Sequence, residues 1–427
     1  MKIRGWLVHE NELYVVVDRK FNKVSADLAV TNLGVLDANS PYINNELVTI
    51  TKDQLSIFIA DGLAGYRYDL GTKALTKIAG FPGGYSAAFL HGYILTESRE
   101  ASGNWLVYHC DRQKSDTWNP LTFGSVESNP DKLLRVHALG DMAIMFGASS
   151  IEIWYFLAAG TGFQFARLGG GTINYGLAAV NSVCSFKGML VGLFKSSSGD
   201  LMVGGIQGYQ MAPLSRTQGQ TSAMEQEWLR YSTVSDAIAT SYSVGGHVLY
   251  QITFPTANKT WVLDGATGIW TRFSSGSEGG KFVGELAINF DDKTYMSDSG
   301  TGLVYELDFN HYFDRNSEEI YSVLVSTRIG DEGKYHSLDN IWFDFEVGTT
   351  ETLNPLALNY EPKLQIELSS DGGNTWKPAR IVSLGKQGKY RTRARVMRLG
   401  RFLDGVVKVT GANLHRVILN ETGIEVS

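Results

Sequence analysis

The stretch Leu133–Leu157, LLRVHALGDMAIMFGASSIEIWYFL, decides the reading of the whole chain. Two apolar runs, Met142 to Phe146 and Ile151 to Phe156, flank Gly147-Ala-Ser-Ser150, and a third run precedes them across Gly140-Asp141. Short runs rich in Ile, Phe, Trp and Tyr, bounded by Gly, Ser and Asp, predict antiparallel strands joined by tight hairpins.

The same grammar recurs on both sides. Residues 6–31 offer four short strands. Further units run over 47–78, with Asp61-Gly62 as a turn, then 86–121, 133–168, 180–214, one beginning at His247-Val-Leu-Tyr250, and 281–307. Their starts fall about 40 to 50 residues apart, the period of a propeller blade. Between Ser222 and Asp236 the period changes. Ser222-Ala-Met-Glu225 is a capping-box pattern, and Met224, Trp228, Leu229 and Tyr231 share roughly one face, so a short helix is expected near 223–232 between two blades. The expected fold is all-β: a β-propeller of about seven four-stranded repeats over 1–310, with six-bladed closure open if the first or last unit merges. After about Asn310 longer strands are expected at Ile320–Arg328, Asn340–Glu346, Lys363–Ser369, Lys389–Met397 and Val406–Thr410. They predict a smaller β-sandwich-like domain over 311–427.

Composition agrees. A chain of 427 residues exceeds the usual single core unless it grows by repeats. With 43% hydrophobic and 11% aromatic residues, and 47 Gly against 9 Pro, it reads as ordered, turn-rich β protein. The net charge of −6 excludes a protein that grips nucleic acid over its whole surface. The distribution is uneven: residues 314–427 carry 15 basic and 15 acidic residues, which leaves 23 basic and 29 acidic in the rest. Cys110 and Cys184 sit in apolar strand-like segments, as buried thiols do. Met1-Lys-Ile-Arg-Gly-Trp-Leu runs straight into strand pattern, so no signal peptide is expected. No apolar run approaches the ~20 residues of a membrane helix, so no membrane insertion is expected either.

Ser369-Ser-Asp371-Gly-Gly373-Asn-Thr375-Trp376 matches the Asp-box pattern of sialidase hairpins. Its expected role is local: Ser369 and Asp371 oxygens take up turn amides, Gly373 supplies a positive φ and Trp376 packs beneath. It is a single copy outside the repeats, with no arginine triad or Tyr/Glu nucleophile pair in view, so it marks a hairpin and not catalysis. Lys377 to Arg401 holds Lys377, Arg380, Lys386, Lys389, Arg391, Arg393, Arg395, Arg398 and Arg401 with no acidic residue. On a strand, Arg391, Arg393 and Arg395 share one face, a basic stripe that would meet phosphate or an acidic surface of a neighbouring subunit; a solvated outer face is the plainer alternative. The eight histidines are scattered, and no GxSxG elbow, P-loop or dinucleotide fingerprint occurs. Asp291-Asp292 and Ser297-Asp-Ser-Gly300 offer oxygens to Ca²⁺, but turn-stabilising Asp is the favoured reading. No catalytic residue, metal site or cofactor is expected.

Several segments resemble, in order, the tail nozzle (packaged-DNA stabilisation) proteins of short-tailed, podovirus-type phages. They are Pro130-Asp131, then Met145-Phe-Gly-Ala-Ser-Ser-Ile-Glu-Ile-Trp-Tyr155, Gly171-Thr-Ile-Asn-Tyr-Gly176, Ser235-Asp-Ala237, Gly246-His-Val-Leu-Tyr250 with Thr253-Phe-Pro255, and Arg398-Leu-Gly-Arg401. The family's N-terminal segment before the first propeller strands has no counterpart in this sequence. The resemblance implies a propeller with an attached β-domain, forming a homo-oligomer, expected as a hexamer, beneath the portal and adaptor rings. It also implies contact with tail fibre, spike or plug proteins, passage of double-stranded DNA through the lumen, a place in the virion tail, and assembly in the host cytoplasm. The alternative expectation is a carbohydrate-active or carbohydrate-binding propeller of sialidase type.

Overall fold

The computed structural model describes residues 2–427 apart from 38–46, 63, 99–104, 128–130, 159, 217–221, 277–278, 299, 309–310, 312, 315–319, 331–332, 347–360, 387, 390–391 and 413–418. The chain divides into two compact units, Met1–Ser274 with Gly280–Leu307, and Ser275–Gly279 with Asp308–Ser427.

In the first unit nearly every strand pairs with the next along the chain, and seven antiparallel sheets follow one another among the described residues. Sheet I covers residues 3–35, II 49–77, III 88–125, IV 133–173, V 175–213, VI 238–273 and VII 284–307. Among the described residues, sheets I to IV and VI have four strands, V has a fifth, the short Cys184–Phe186 strand, and VII has three. Among the described residues the seven sheets are separate. Two-residue turns with both φ positive, among them Glu10-Asn11, His91-Gly92, Lys187-Gly188 and Asp291-Asp292, close many hairpins. This backbone twist matches that of the strands it joins.

The opening stretch forms the first three strands of sheet IV, Leu133–Leu139, Met142–Gly147 and Ile151–Phe156. Its central runs are apolar at consecutive positions because both sheet faces are covered. Ala143 and Met145 pack into the cluster shared with sheet III, whereas Ile144, Phe146, Ile151 and Ile153 pack into the cluster shared with sheet V. Every adjacent pair of sheets has such a seam, and the last returns to the first, where Ile3 and Val15 of sheet I meet Leu286 of sheet VII.

Sheet VI begins at Ile238–Val244, a strand absent from the sequence reading. IATSYSV holds mostly small and hydroxyl residues, yet Ile238, Ala239, Thr240 and Tyr242 are buried, and Thr240 Oγ1 exchanges hydrogen bonds with Ala287 of sheet VII (3.0 and 3.2 Å). Between V and VI lies the helix Ala223–Trp228, where Glu225 N–H donates to Ser222 Oγ at 3.2 Å in a complete capping box.

The second unit is a β-sandwich. One sheet orders Tyr321–Val325, Val406–Ala412, Lys363–Ser369 and Arg380–Ser383; the other orders Ala394–Phe402, His336–Phe345 and Leu419–Val426. Alternate residues of both, such as Leu364, Ile366 and Leu368 facing Ile341, Phe343 and Val396, form one core. Two of these strands, Arg380–Ser383 and Leu419–Val426, lack an apolar run and were not anticipated. The strand expected at Lys389–Met397 is found at Ala394–Phe402.

Candidate nucleic-acid and subunit interface

The basic segment meets the sandwich along the strand Ala394–Phe402, whose inward residues Ala394, Val396, Leu399 and Phe402 are buried and whose basic residues are exposed. Arg395 stands opposite Trp342, and Trp342 in turn stands opposite Gly423 on the far strand. Arg395 Nε donates to Asn340 Oδ1 at 2.6 Å, and Asn340 Nδ2 donates to Glu425 Oε2 at 3.1 Å, a relay that crosses three strands. The indole of Trp342 lies flat over Gly423: a Cβ there would fall 2.2 Å from the ring. The Arg393 guanidinium stacks on that indole, 4.6 Å from the centroid. Arg393 and Arg395 are therefore engaged on the sheet face, which carries acid as well as base. Arg391 lies outside the described residues.

Beyond Arg395 the strand bulges. Asn340 pairs with Met397 and Leu338 with Gly400, so three steps on one strand oppose two on the other, and Arg398 takes φ +56°. Arg401 lies 5.0 Å from the Tyr335 ring centroid. Lys386 and Lys389 are exposed beside Glu361, whose carboxyl is held below its usual range by the Ser383 hydroxyl and then by the surrounding lysines.

At the Asp box, Ser369 Oγ accepts from Gly373 N–H (2.8 Å) and Asp371 N–H (3.3 Å). Asp371 accepts from the Thr375 amide (2.8 Å) and hydroxyl (2.6 Å), which together with Ser369 pull its pKa down to about 2. Gly372 and Gly373 have φ +72° and +99°, and Lys408 Nζ sits 4.4 Å from the Trp376 ring centroid. The Ser369 and Asp371 oxygens hold the turn.

In the propeller, polar groups link each sheet to the next. Arg4 of sheet I pairs with Asp61 of II, and Thr49 Oγ1 of II donates to the Tyr85 carbonyl at 2.6 Å. The buried Glu97 carboxylate of III accepts from the Tyr85 amide (2.7 Å) and the Ser86 hydroxyl, and that hydroxyl accepts from Val136 N–H of IV (2.9 Å). Arg135 of IV donates to the Val180 carbonyl (3.1 Å), Tyr250 of VI to the Ser182 carbonyl (3.0 Å), and Gln251 of VI to the Gly284 carbonyl of VII (2.6 Å). Lys2 Nζ lies 3.2 Å from Glu285 and links VII to I. None of these pairs was visible in sequence, because each joins residues far apart in the chain.

Burial pushes the Cys110 and Cys184 thiols up to about 12, where the nucleophilic thiolate is scarce. It also raises the Glu97 carboxyl and lowers His109. His247 Nδ1 lies 2.9 Å from Asp264, but that carboxylate caps its own turn through Ala266 N–H (2.8 Å) and the Thr267 hydroxyl (2.9 Å). Asp298 likewise accepts from Gly300 N–H (2.7 Å) and the Thr301 hydroxyl (2.6 Å). Among the described residues no three His, Cys, Asp or Glu side chains are grouped to hold a metal ion, and no helix is long and apolar enough to cross a membrane.

These features define a propeller whose adjacent sheets and turns are tied together by polar contacts. The family model described as "Bacteriophage P22 Gp10, beta-propeller" matches residues 3–312, and the chain belongs to this family of phage packaged-DNA stabilisation proteins. It is accordingly a phage virion protein, a component of the tail. No curated protein sequence matches it. Among solved structures it is similar to the extracellular domain of the putative one component system BT4673 from B. thetaiotaomicron, at 8% identity and TM-score 0.45, over 92% of this chain. The chain spans 45% of that chain's length. It is also similar to the Neurospora crassa Pan2 WD40 domain, at 8% identity and TM-score 0.40, over 70% of this chain and 86% of that one. A third likeness is to the dihydro-heme d1 dehydrogenase NirN, at 11% identity and TM-score 0.44, over 74% and 66%.

Proposed function

We propose that this virion protein is the tail nozzle: a non-enzymatic homo-oligomer, a hexamer, seated below the portal and adaptor rings, that retains packaged DNA and conducts it during ejection. The family match across residues 3–312 carries the reading. Each subunit contributes the propeller, taken as residues 1–310, and the C-terminal β-domain, residues 311–427, and contacts neighbouring tail proteins such as a fibre, spike or plug. Six copies arranged head to tail close a ring through heterologous contacts. The acidic excess of the larger unit suits a conduit, since like charge keeps DNA from adhering to a wall. Arg391, Arg398, Arg401, Lys386 and Lys389 are the groups assigned to DNA or to an acidic neighbouring subunit, and Arg393 and Arg395 shape the face that presents them. Assembly takes place in the host cytoplasm.

Electron microscopy of the purified protein, alone and mixed with portal–adaptor complex, tests this. Rings of six copies that cap the adaptor are expected. A monomer that also fails to join the portal–adaptor complex refutes the nozzle assignment.

A further inference from the structure

One sheet of the second unit carries its charge in two separate rows. Its strand Ala394–Phe402 holds Arg395, Arg398 and Arg401 and no acidic residue, whereas its strand Leu419–Val426 holds Glu421 and Glu425 and no basic one. Both pair with His336–Phe345, which lies between them, so the two rows stand two strand spacings apart, about 10 Å. All five of these charged residues are exposed. The sheet is positive along one side and negative along the other.

The negative side lacks a counter-charge within the subunit. Asp344 of the central strand stands directly opposite Glu421. Phe343 and Phe345, on either side of Asp344, enter the core, so Asp344 and Glu421 share the outward face. Like charges directly opposite each other destabilise a sheet. Among the described residues, the ion pairs that Lys and Arg make in this unit, Lys408 with Glu367 at 2.6 Å and Arg328 with Asp404 at 3.8 Å, use no residue of this sheet. The contact that Glu425 makes across the sheet is with the neutral amide of Asn340.

The partner that fits such a face is a strand presenting guanidiniums, and the opposite side of the same sheet presents them. Two copies joined by their like sides would set Glu against Glu or Arg against Arg, which charge repulsion disfavours. Copies placed side by side in the same sense set the glutamates of one against the arginines of the next. That contact is heterologous, the kind that closes a ring when the rotation between copies allows it.

We propose that Asp344, Glu421 and Glu425 of one subunit receive Arg398 and Arg401 of the next. The contact rests on the homo-oligomer reading above, and it gives these two arginines to a second copy of the chain in preference to DNA.

The full-length protein is compared with Glu421→Lys, with the acid-reversed pair Glu421→Lys and Glu425→Lys, and with the base-reversed pair Arg398→Glu and Arg401→Glu. Sedimentation velocity across concentration and salt measures assembly, and calorimetry measures the melting temperature. Wild-type association should weaken as salt rises, and each reversed pair should associate at least about ten-fold more weakly than wild type. Glu421→Lys alone should weaken association without lowering the melting temperature, because a lysine opposite Asp344 turns a repulsion into an attraction. The acid-reversed and base-reversed proteins, mixed, should associate again, since the unaltered sides still complement each other and the two reversed sides attract. Reversed proteins that assemble like wild type, or a mixture that stays apart, overturn the contact and leave the nozzle reading in place. So does a base-reversed protein that assembles normally but no longer binds a labelled DNA duplex, which gives the arginines to DNA. A wild type that is monomeric at every concentration refutes the contact and the homo-oligomer reading together.

Discussion

Asp131→Ala should cost about 2 kcal/mol of stability, although Asp131 belongs to no sheet. Its Oδ2 accepts from the Ser149 amide, the Ser149 hydroxyl at 2.6 Å and the Ser150 amide at 3.1 Å, closing the turn between the second and third strands of sheet IV. Ala148 N–H donates to the Lys132 carbonyl at 2.9 Å, so the segment before the first strand and the turn are tied at two points. The turn has no slack: a Cβ on Gly147 would fall 2.8 Å from the Ser150 carbonyl oxygen and 2.9 Å from the Asp131 carboxylate. A hydrogen bond to a charged group contributes about 1.5–3 kcal/mol, but exposed Ser149 regains water when the carboxylate is removed, which brings the total near the ~2 kcal/mol of a strong helix cap. Ser149→Ala alone should cost about 1 kcal/mol, and because the two side chains touch, the double variant should fall short of the sum by about 1 kcal/mol. Guanidinium unfolding followed by tryptophan fluorescence, with unchanged slope, measures all three. A cost below about 0.5 kcal/mol for Asp131→Ala, or strict additivity, refutes the capping argument.

Asp61→Asn removes the Asp61 charge from the buried Arg4 guanidinium and should cost about 3 kcal/mol. The double change Arg4→Met, Asp61→Leu should recover most of that in calorimetry, and equal losses in both variants would contradict it. Gly176→Ala should be worse than an ordinary overpacking change, above about 3 kcal/mol, because its Cβ would lie 1.9 Å from the Ala148 carbonyl oxygen; retained solubility and melting temperature would refute this. Burial, helped by the charge of Arg135, pushes His137 down to about 4 from an ordinary value of 6.5. A lowered histidine contributes stability above pH 6.5 that disappears as pH falls through 4. About 2 kcal/mol should therefore be lost over that window, after discounting for partial exposure. His137→Gln should flatten that part of the stability–pH curve, and an unaltered curve would show that other groups govern it.

The propeller was legible because its signal is local. A strand buried on both faces must be apolar at consecutive positions, and a two-residue turn must hold residues that accept positive φ; Met142–Gly147, Ile151–Phe156 and Asp291-Asp292 announce both. The capping box at Ser222 is local for the same reason. Ile238–Val244 stayed hidden because its burial depends on hydroxyls satisfied by sheet VII, a partner 47 residues away in the case of Thr240 and Ala287.

The basic segment shows where charge counting stops being informative. From spacing alone, Arg391, Arg393 and Arg395 are equivalent members of one stripe. In the fold, Arg395 has its Nε committed to Asn340 and through it to Glu425, and Arg393 is laid against Trp342, which is itself fixed over Gly423. An arginine held by an aromatic face and by an amide relay keeps its charge but loses the freedom to follow a moving phosphate. Arg398 is different: the bulge that gives it φ +56° also breaks the alternation, so its side chain leaves the row set by Arg395. Removing Arg395 should therefore disturb the sheet before it disturbs any partner, because the Oδ1 of Asn340, a residue only 3% exposed, loses its Arg395 donor. Removing Arg398 or Arg401 should leave the sandwich intact and act only on what the exposed edge touches. The difference in salt dependence between those two kinds of variant separates scaffold from contact.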